Sequence, residues 1–186
     1  CPFCRAKTPT SDEENVKQVR PWVKKKKAWA QALMGQHYNN GKGVKQSYEM
    51  ARMLYELAAQ QRDVVAMFDL GQMYCQGLGV VQSYERAKQY YEQAAHLGDA
   101  DSQYNLGVLY EQGHGVERSL EKAAEYYQQA AREGNAMSQN ALGQMFLYGD
   151  GVEQSDDKAR EWLSKAAAQG NEKAIEGLKR AKRSGE

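Results

Sequence analysis

Residues 106–116 read Leu106-Gly107-Val108-Leu109-Tyr110-Glu111-Gln112-Gly113-His114-Gly115-Val116, and variants of this phrase recur at a constant step of 36 residues. The first glycine falls at Gly35, Gly71, Gly107 and Gly143. The closing Gly-x-Gly-Val falls at Gly41 to Val44, Gly77 to Val80, Gly113 to Val116 and Gly149 to Val152. Ala58-Ala59, Ala94-Ala95, Ala130-Ala131 and Ala166-Ala167 keep the same step. A fixed period of this length is the signature of a repeat array, in which each unit buries its apolar face against its neighbours. Such an array favours a binding surface over a catalytic cleft.

Within one copy, Tyr104, Gly107, Val108 and Tyr110 fall at helical spacing with no proline or β-branched run between them. Gly113-His114-Gly115 stops that helix, because glycine enters left-handed backbone conformations at little steric cost. Ser119 then stands as an N-cap, recurring as Ser47, Ser83 and Ser155. A second helix follows with Ala123, Tyr126, Tyr127, Ala130 and Ala131 on one stripe. Each short helix alone is marginal in water, so stability must come from stacking. The pattern predicts an all-α, right-handed superhelical solenoid of antiparallel helix hairpins.

The periodicity extends outward. Ser11-Asp12-Glu13-Glu14 forms a capping box one step before Ser47, with acids on a helix N-terminus. The expected organisation is residues 1–10 as a tail and linker, 11–28 as a degenerate leading repeat helix, 29–172 as four repeats, and 173–186 as a terminal capping helix with a basic tail. Pro21 is expected to kink the leading helix or end it early.

Composition excludes several classes. Lys and Arg total 25 against 24 Asp and Glu, so no global field recruits nucleic acid. Residues 1–28 alone carry eight bases and three acids. The run Lys24 to Lys27 reads as a solvated helix end. No apolar run is long enough to span a membrane. The three cysteines, Cys1, Cys4 and Cys75, cannot form a disulfide framework, which suits a reducing, intracellular setting, cytoplasmic or nuclear. A chain that opens on Cys1 is expected to be a fragment. Cys75 reads as a small residue late in a helix, and the Gly-x-Gly triplets as turns.

These motifs together resemble the Sel1-like repeat, a relative of the tetratricopeptide repeat. Leu106, Gly107, Tyr110, Gly113, Gly115, Val116, Ala123, Tyr127, Ala130, Ala131 and Gly134 carry the match, while Met34 and Arg62 depart from it in the first copy. The resemblance implies a protein-binding scaffold or adaptor without catalytic residues, its first helices lining a concave face. On that analogy Gln36, Phe68, Gln72, Tyr104, Val108, Gln112, Gln144 and Tyr148 contact the partner. The face is apolar and amide-rich, so a neutral or apolar protein segment is the expected ligand.

Cys1-Pro2-Phe3-Cys4-Arg5 has the spacing that places two thiolates on one metal, but supplies only half a tetrahedral site. It resembles the last ligand pair of a RING finger. That resemblance implies a longer protein with zinc in the complete finger, a ubiquitin-conjugating enzyme as a further partner, and the repeats selecting substrate for an E3 ubiquitin ligase. The fragment itself would hold no cofactor. A secreted, cysteine-rich relative that binds penicillin-type compounds would need paired cysteines in every repeat, and these are missing here.

Overall fold

The computed structural model describes residues 11–183, with side chains through Arg180, and the described residues contain helices and no strand. The order is α1 (Asp12–Lys24), α2 (Ala28–Asn40), α3 (Tyr48–Ala59), α4 (Val64–Gln76), α5 (Tyr84–Ala95), α6 (Ala100–Gln112), α7 (Leu120–Arg132), α8 (Ala136–Tyr148), α9 (Asp156–Ala168) and α10 (Glu172–Arg183). They fall into two compact units, one ending at Gln82 and the other starting at Ser83. The boundary lies inside the second repeat, between α4 and α5.

Helix boundaries follow from capping chemistry repeated at the same step. Ser11, Ser47, Ser83, Ser119 and Ser155 each accept the backbone N–H three residues on, at 3.2–3.4 Å. Asp63, Asp99, Asn135 and Asn171 do the same for α4, α6, α8 and α10. These side chains satisfy donors that a helix start leaves without intrahelical partners. Gly41, Gly77, Gly113 and Gly149 end the first helices in the left-handed conformation. Beyond them, Gln46, Gln82, Arg118 and Gln154 each donate from the side chain to a last-turn carbonyl, at 2.8–2.9 Å. That clamp serves acceptors the helix end leaves open.

In the first unit α2 packs against α1, α3 and α4. Val16, Val19, Ala30, Met34 and Leu54 form a continuous core there. Pro21 does not end α1, which runs one residue short of a further turn to Lys24. Lys26 then turns the chain with φ 55, and Lys27 N–H bonds back to the Trp22 carbonyl at 3.1 Å. The same turn follows α3 at Arg62 (φ 64), and in the second unit it falls on Gly98, Gly134 and Gly170 (φ 85–91). The leading segment therefore exits as the full repeats do.

In the second unit α6 packs on α5 and α7, α8 on α7 and α9, and α10 on α8 and α9. Tyr127, Leu142, Met145 and Phe146 centre its core, with Leu163, Ala166 and Ala174 closing the C-terminal end. Gly107 accepts the ring of Tyr127 at a distance no side chain would allow. Gly115 sits equally close to the start of α5, where a Cβ would fall 2.6 Å from Tyr84 Cβ.

Candidate functional site

The first helices of the second unit present their exposed faces to a shared groove. Tyr104, Val108 and Gln112 reach it from α6, and Met137, Asn140 and Gln144 from α8. Its volume is about 410 Å³. Four residues that the sequence assigns to the partner face, Tyr104, Val108, Gln112 and Gln144, thus meet in one place. Tyr148 does not join them; it stands 55% exposed at the end of α8.

The floor is anchored from below. Tyr127 comes up from α7 and donates its hydroxyl to Glu111 Oε2 at 2.5 Å. Burial pushes the Tyr127 phenol well above its ordinary pKa, and the Glu111 carboxylate adds to the shift. Tyr104 leans on Tyr127 with ring centroids 5.7 Å apart, and burial raises its phenol as well. Both groups stay neutral donors across the physiological range, so the floor is a fixed, uncharged aromatic pair. Glu111 is exposed at the groove and uses one carboxylate oxygen for this bond.

The rim adds charges to this apolar, amide-rich face. Arg118 and Lys173 contribute cations, and Glu111 and Asp150 contribute carboxylates. Arg118 is partly committed, since its Nε donates to the Glu111 carbonyl at 2.9 Å. A signal for Arg118 existed: it is the one non-glutamine at the clamp position shared by Gln46, Gln82 and Gln154. Lys173 lies on the terminal helix one 36-residue step beyond Met137, so the repeat register marks its position, although a lysine replaces the methionine there.

The first unit offers a smaller cavity of about 180 Å³, lined by Asn39, Tyr55, Asp69, Gln72 and Gln76 among others. Here the predicted amides of Gln36 and Gln72 are engaged within the fold. Gln36 Nε2 donates to Asp69 Oδ2 at 3.1 Å, and Gln76 donates to Gln72 at 2.9 Å. Burial pushes the Asp69 carboxyl above its ordinary range, against hydrogen bonds from Gln36 and Tyr55 that lower it. Phe68 is half-buried on the same helix.

Cys1 and Cys4, the suggested zinc pair, lie outside the described residues. Among the described residues no three or more His, Cys, Asp or Glu side chains gather as a metal site. His37 donates from Nδ1 to the Lys42 carbonyl at 2.7 Å, and His114 stacks on Tyr84 with centroids 4.5 Å apart. No helix among the described residues is long and apolar enough to cross a membrane.

Comparison with known proteins agrees with this architecture. No curated protein matches the sequence significantly. Among solved structures, the SLR-fold protective antigen of uropathogenic Escherichia coli strains is similar, with a TM-score of 0.87 and 32% identity. That match covers 92% of this chain but only 37% of the antigen. A Sel1 repeat protein from Oxalobacter formigenes gives 0.86 and 30%, over 89% of this chain and 67% of its own. Helicobacter pylori cysteine rich protein B gives 0.52 and 28%, over 67% of this chain and 94% of its own. A family profile described as Sel1 repeat matches residues 30–63, 64–99, 100–135 and 136–171 in unbroken succession. With the glycine turns, the serine caps and the helix pairs all in register with those four segments, the chain belongs to the Sel1 repeat family, whose members generally serve as protein–protein interaction scaffolds.

Proposed function

We propose that this chain is an interaction module that holds a neutral or apolar segment of a partner protein in the groove between α6 and α8. The observation that carries the reading is the composition of that groove. Aromatic and aliphatic side chains from Tyr104, Val108 and Met137 form its floor, Gln112, Asn140 and Gln144 supply adaptable amides, and the rim acids and bases balance. A site of this kind rewards apolar anchors and backbone amides, and gives no advantage to a strongly charged ligand.

A peptide panel displayed against the chain tests it. Selected peptides should be uncharged or apolar at their anchor positions. Tyr104→Ala and Met137→Arg should each weaken them, since truncating an aromatic anchor commonly costs about 2 kcal/mol or more. Met137 is 46% exposed, so Met137→Arg leaves the fold intact and separates binding from stability. Selection of highly charged peptides, or peptides indifferent to both changes, would refute the groove as the site.

The alternative role, substrate recognition within a RING-type ubiquitin ligase, has only Cys1-Pro2-Phe3-Cys4-Arg5 behind it. The family match over residues 30–171 does not bear on that stretch.

A further inference from the structure

Three side chains on α3 depart from a pattern that the corresponding helices keep. Met50, Met53 and Leu57 are 39%, 47% and 44% exposed. Spaced by three and four residues, they form one stripe along two helical turns. The same positions hold Arg86, Gln89 and Gln93 in α5, Lys122, Glu125 and Gln129 in α7, and Lys158, Glu161 and Lys165 in α9. All of those are exposed too. Position and exposure are therefore constant, and only the chemistry changes. Core packing does not explain the change, because the buried side of α3 is built like the others: Ala51, Tyr55 and Ala58 match Ala87, Tyr91 and Ala94, and Ala123, Tyr127 and Ala130.

We propose that this stripe docks an amphipathic helix of a partner protein, one with apolar side chains at helical spacing flanked by Lys or Arg. Two of the three anchors are methionines, whose unbranched, polarizable side chains adapt to a range of apolar knobs. The exposed area is at most a few hundred Å². A stable dimer needs about 800 Å² per partner, so a second copy of this chain is too large an occupant for the patch, whereas one crossing helix matches it. Charge selects the helix further. Glu49 and Glu56 run along one edge of the stripe, and no ion pair among the described residues engages Glu49. Arg52 is held by Glu56 at 2.8 Å. The equivalent positions on α5, α7 and α9 hold charged or amide side chains and no apolar anchor, which confines the helix to α3. This surface lies on a second helix and is independent of the groove between first helices.

The probe is a fluorescein-labelled helical peptide of about 15 residues, with Leu on one face and flanking Lys. Binding is read by anisotropy and by the methyl resonances of methionine-labelled protein. The key variant is Met50→Arg/Met53→Gln/Leu57→Gln, which installs the residues α5 carries at those positions. Because a neighbouring repeat folds with them, the variant should keep its helical content and melting point; Met53→Glu, matching α7 and α9, serves if it does not. We expect saturable binding that shifts the Met50 and Met53 methyls and leaves buried Met34 and Met67 unmoved. The variant should bind at least about tenfold more weakly, and a peptide with Glu in place of Lys should bind more weakly to the unmodified chain. Equal binding by variant and parent, unshifted Met50 and Met53 methyls, or no saturable binding would overturn the proposal. Concentration-dependent association of the chain alone that the variant abolishes would also overturn it, by assigning the stripe to a second copy.

Discussion

The ring of Tyr127 lies against Gly107 so closely that a Cβ added to the glycine would fall 2.5 Å from Cε1 of the ring. Tyr127 is 1% exposed and cannot retreat without breaking its bond to Glu111. Gly107→Ala should therefore lower stability, and Gly107→Leu should lower it further. Overpacking of this kind costs about 1–3 kcal/mol, or a melting point lower by about 2–4 °C for each kcal/mol in a chain of this size. Glu117→Ala, at an exposed loop position, is the reference. Melting curves of the three variants decide the matter, and an unchanged Gly107→Ala would show that α6 and α7 separate easily.

Arg62 occupies a left-handed backbone state at φ 64, in the turn where later repeats place Gly98, Gly134 and Gly170. That state costs a residue with a Cβ about 1–2 kcal/mol, part of which glycine returns through its greater freedom in the unfolded chain. Arg62→Gly should raise the melting point by a few degrees, and Gly134→Ala should lower it. A destabilised Arg62→Gly would mean that the arginine side chain contributes a contact stronger than the backbone strain.

Asp69 gives a pH signature. Its folded-state pKa lies above its ordinary 3.8, chiefly through burial, so the folded chain binds the proton more tightly than the unfolded one. The stability linked to this group is fully present below the ordinary value and is lost as pH rises through the raised one. Asp69→Asn mimics the protonated form and can still accept a hydrogen bond from Tyr55 or Gln36. It should be more stable than the parent at pH 7, with the difference closing as pH falls toward about 4. Denaturant midpoints at both pH values measure this. A variant less stable at pH 7 would show that the bonds from Gln36 and Tyr55 outweigh the burial of the charge.

The sequence spells out what the backbone needs and conceals what side chains do across the fold. Glycines at Gly41 and Gly113 and serines at Ser47 and Ser119 act within a few residues of themselves, so their spacing alone predicts the helix ends. Tyr127 was readable as core because it recurs as Tyr91 one step earlier and Tyr55 two steps earlier. The exit turn at Lys26 was hidden because a lysine replaces the glycine that normally marks that conformation. Gln36 looked like a partner contact, since nothing in its neighbourhood reveals that Asp69, 33 residues away, takes its amide. The groove rim was legible only in position: Arg118 stands one step beyond Gln82 and Lys173 one step beyond Met137, but nothing local reveals that their charges gather at one groove. Local rules write the array, and tertiary hydrogen bonds decide which polar side chains remain available to a partner.

Ser102 and Ser138 occupy one repeat position on α6 and α8, and both are 0% exposed with hydroxyls that meet no hydrogen-bond partner. The same position holds Ala66 on α4 and Ala174 on α10, each also fully buried. Ala30 on α2 stands one step before Ala66 and is equally buried, so alanine fits this site in three other helices of the same chain. A buried hydroxyl without a partner carries a desolvation penalty of about 1–3 kcal/mol, whereas deleting one oxygen leaves a gap smaller than a methyl group. Alanine also has the higher helix propensity. Ser102→Ala and Ser138→Ala should each raise stability by about 1 kcal/mol. The two sites do not touch through a shared polar partner, so the double variant should show the sum of the single effects. Urea midpoints for the singles and the double are the measurement. A loss of stability in either single variant would mean that its hydroxyl is hydrogen-bonded in solution, to a backbone carbonyl of the preceding turn or to an internal water.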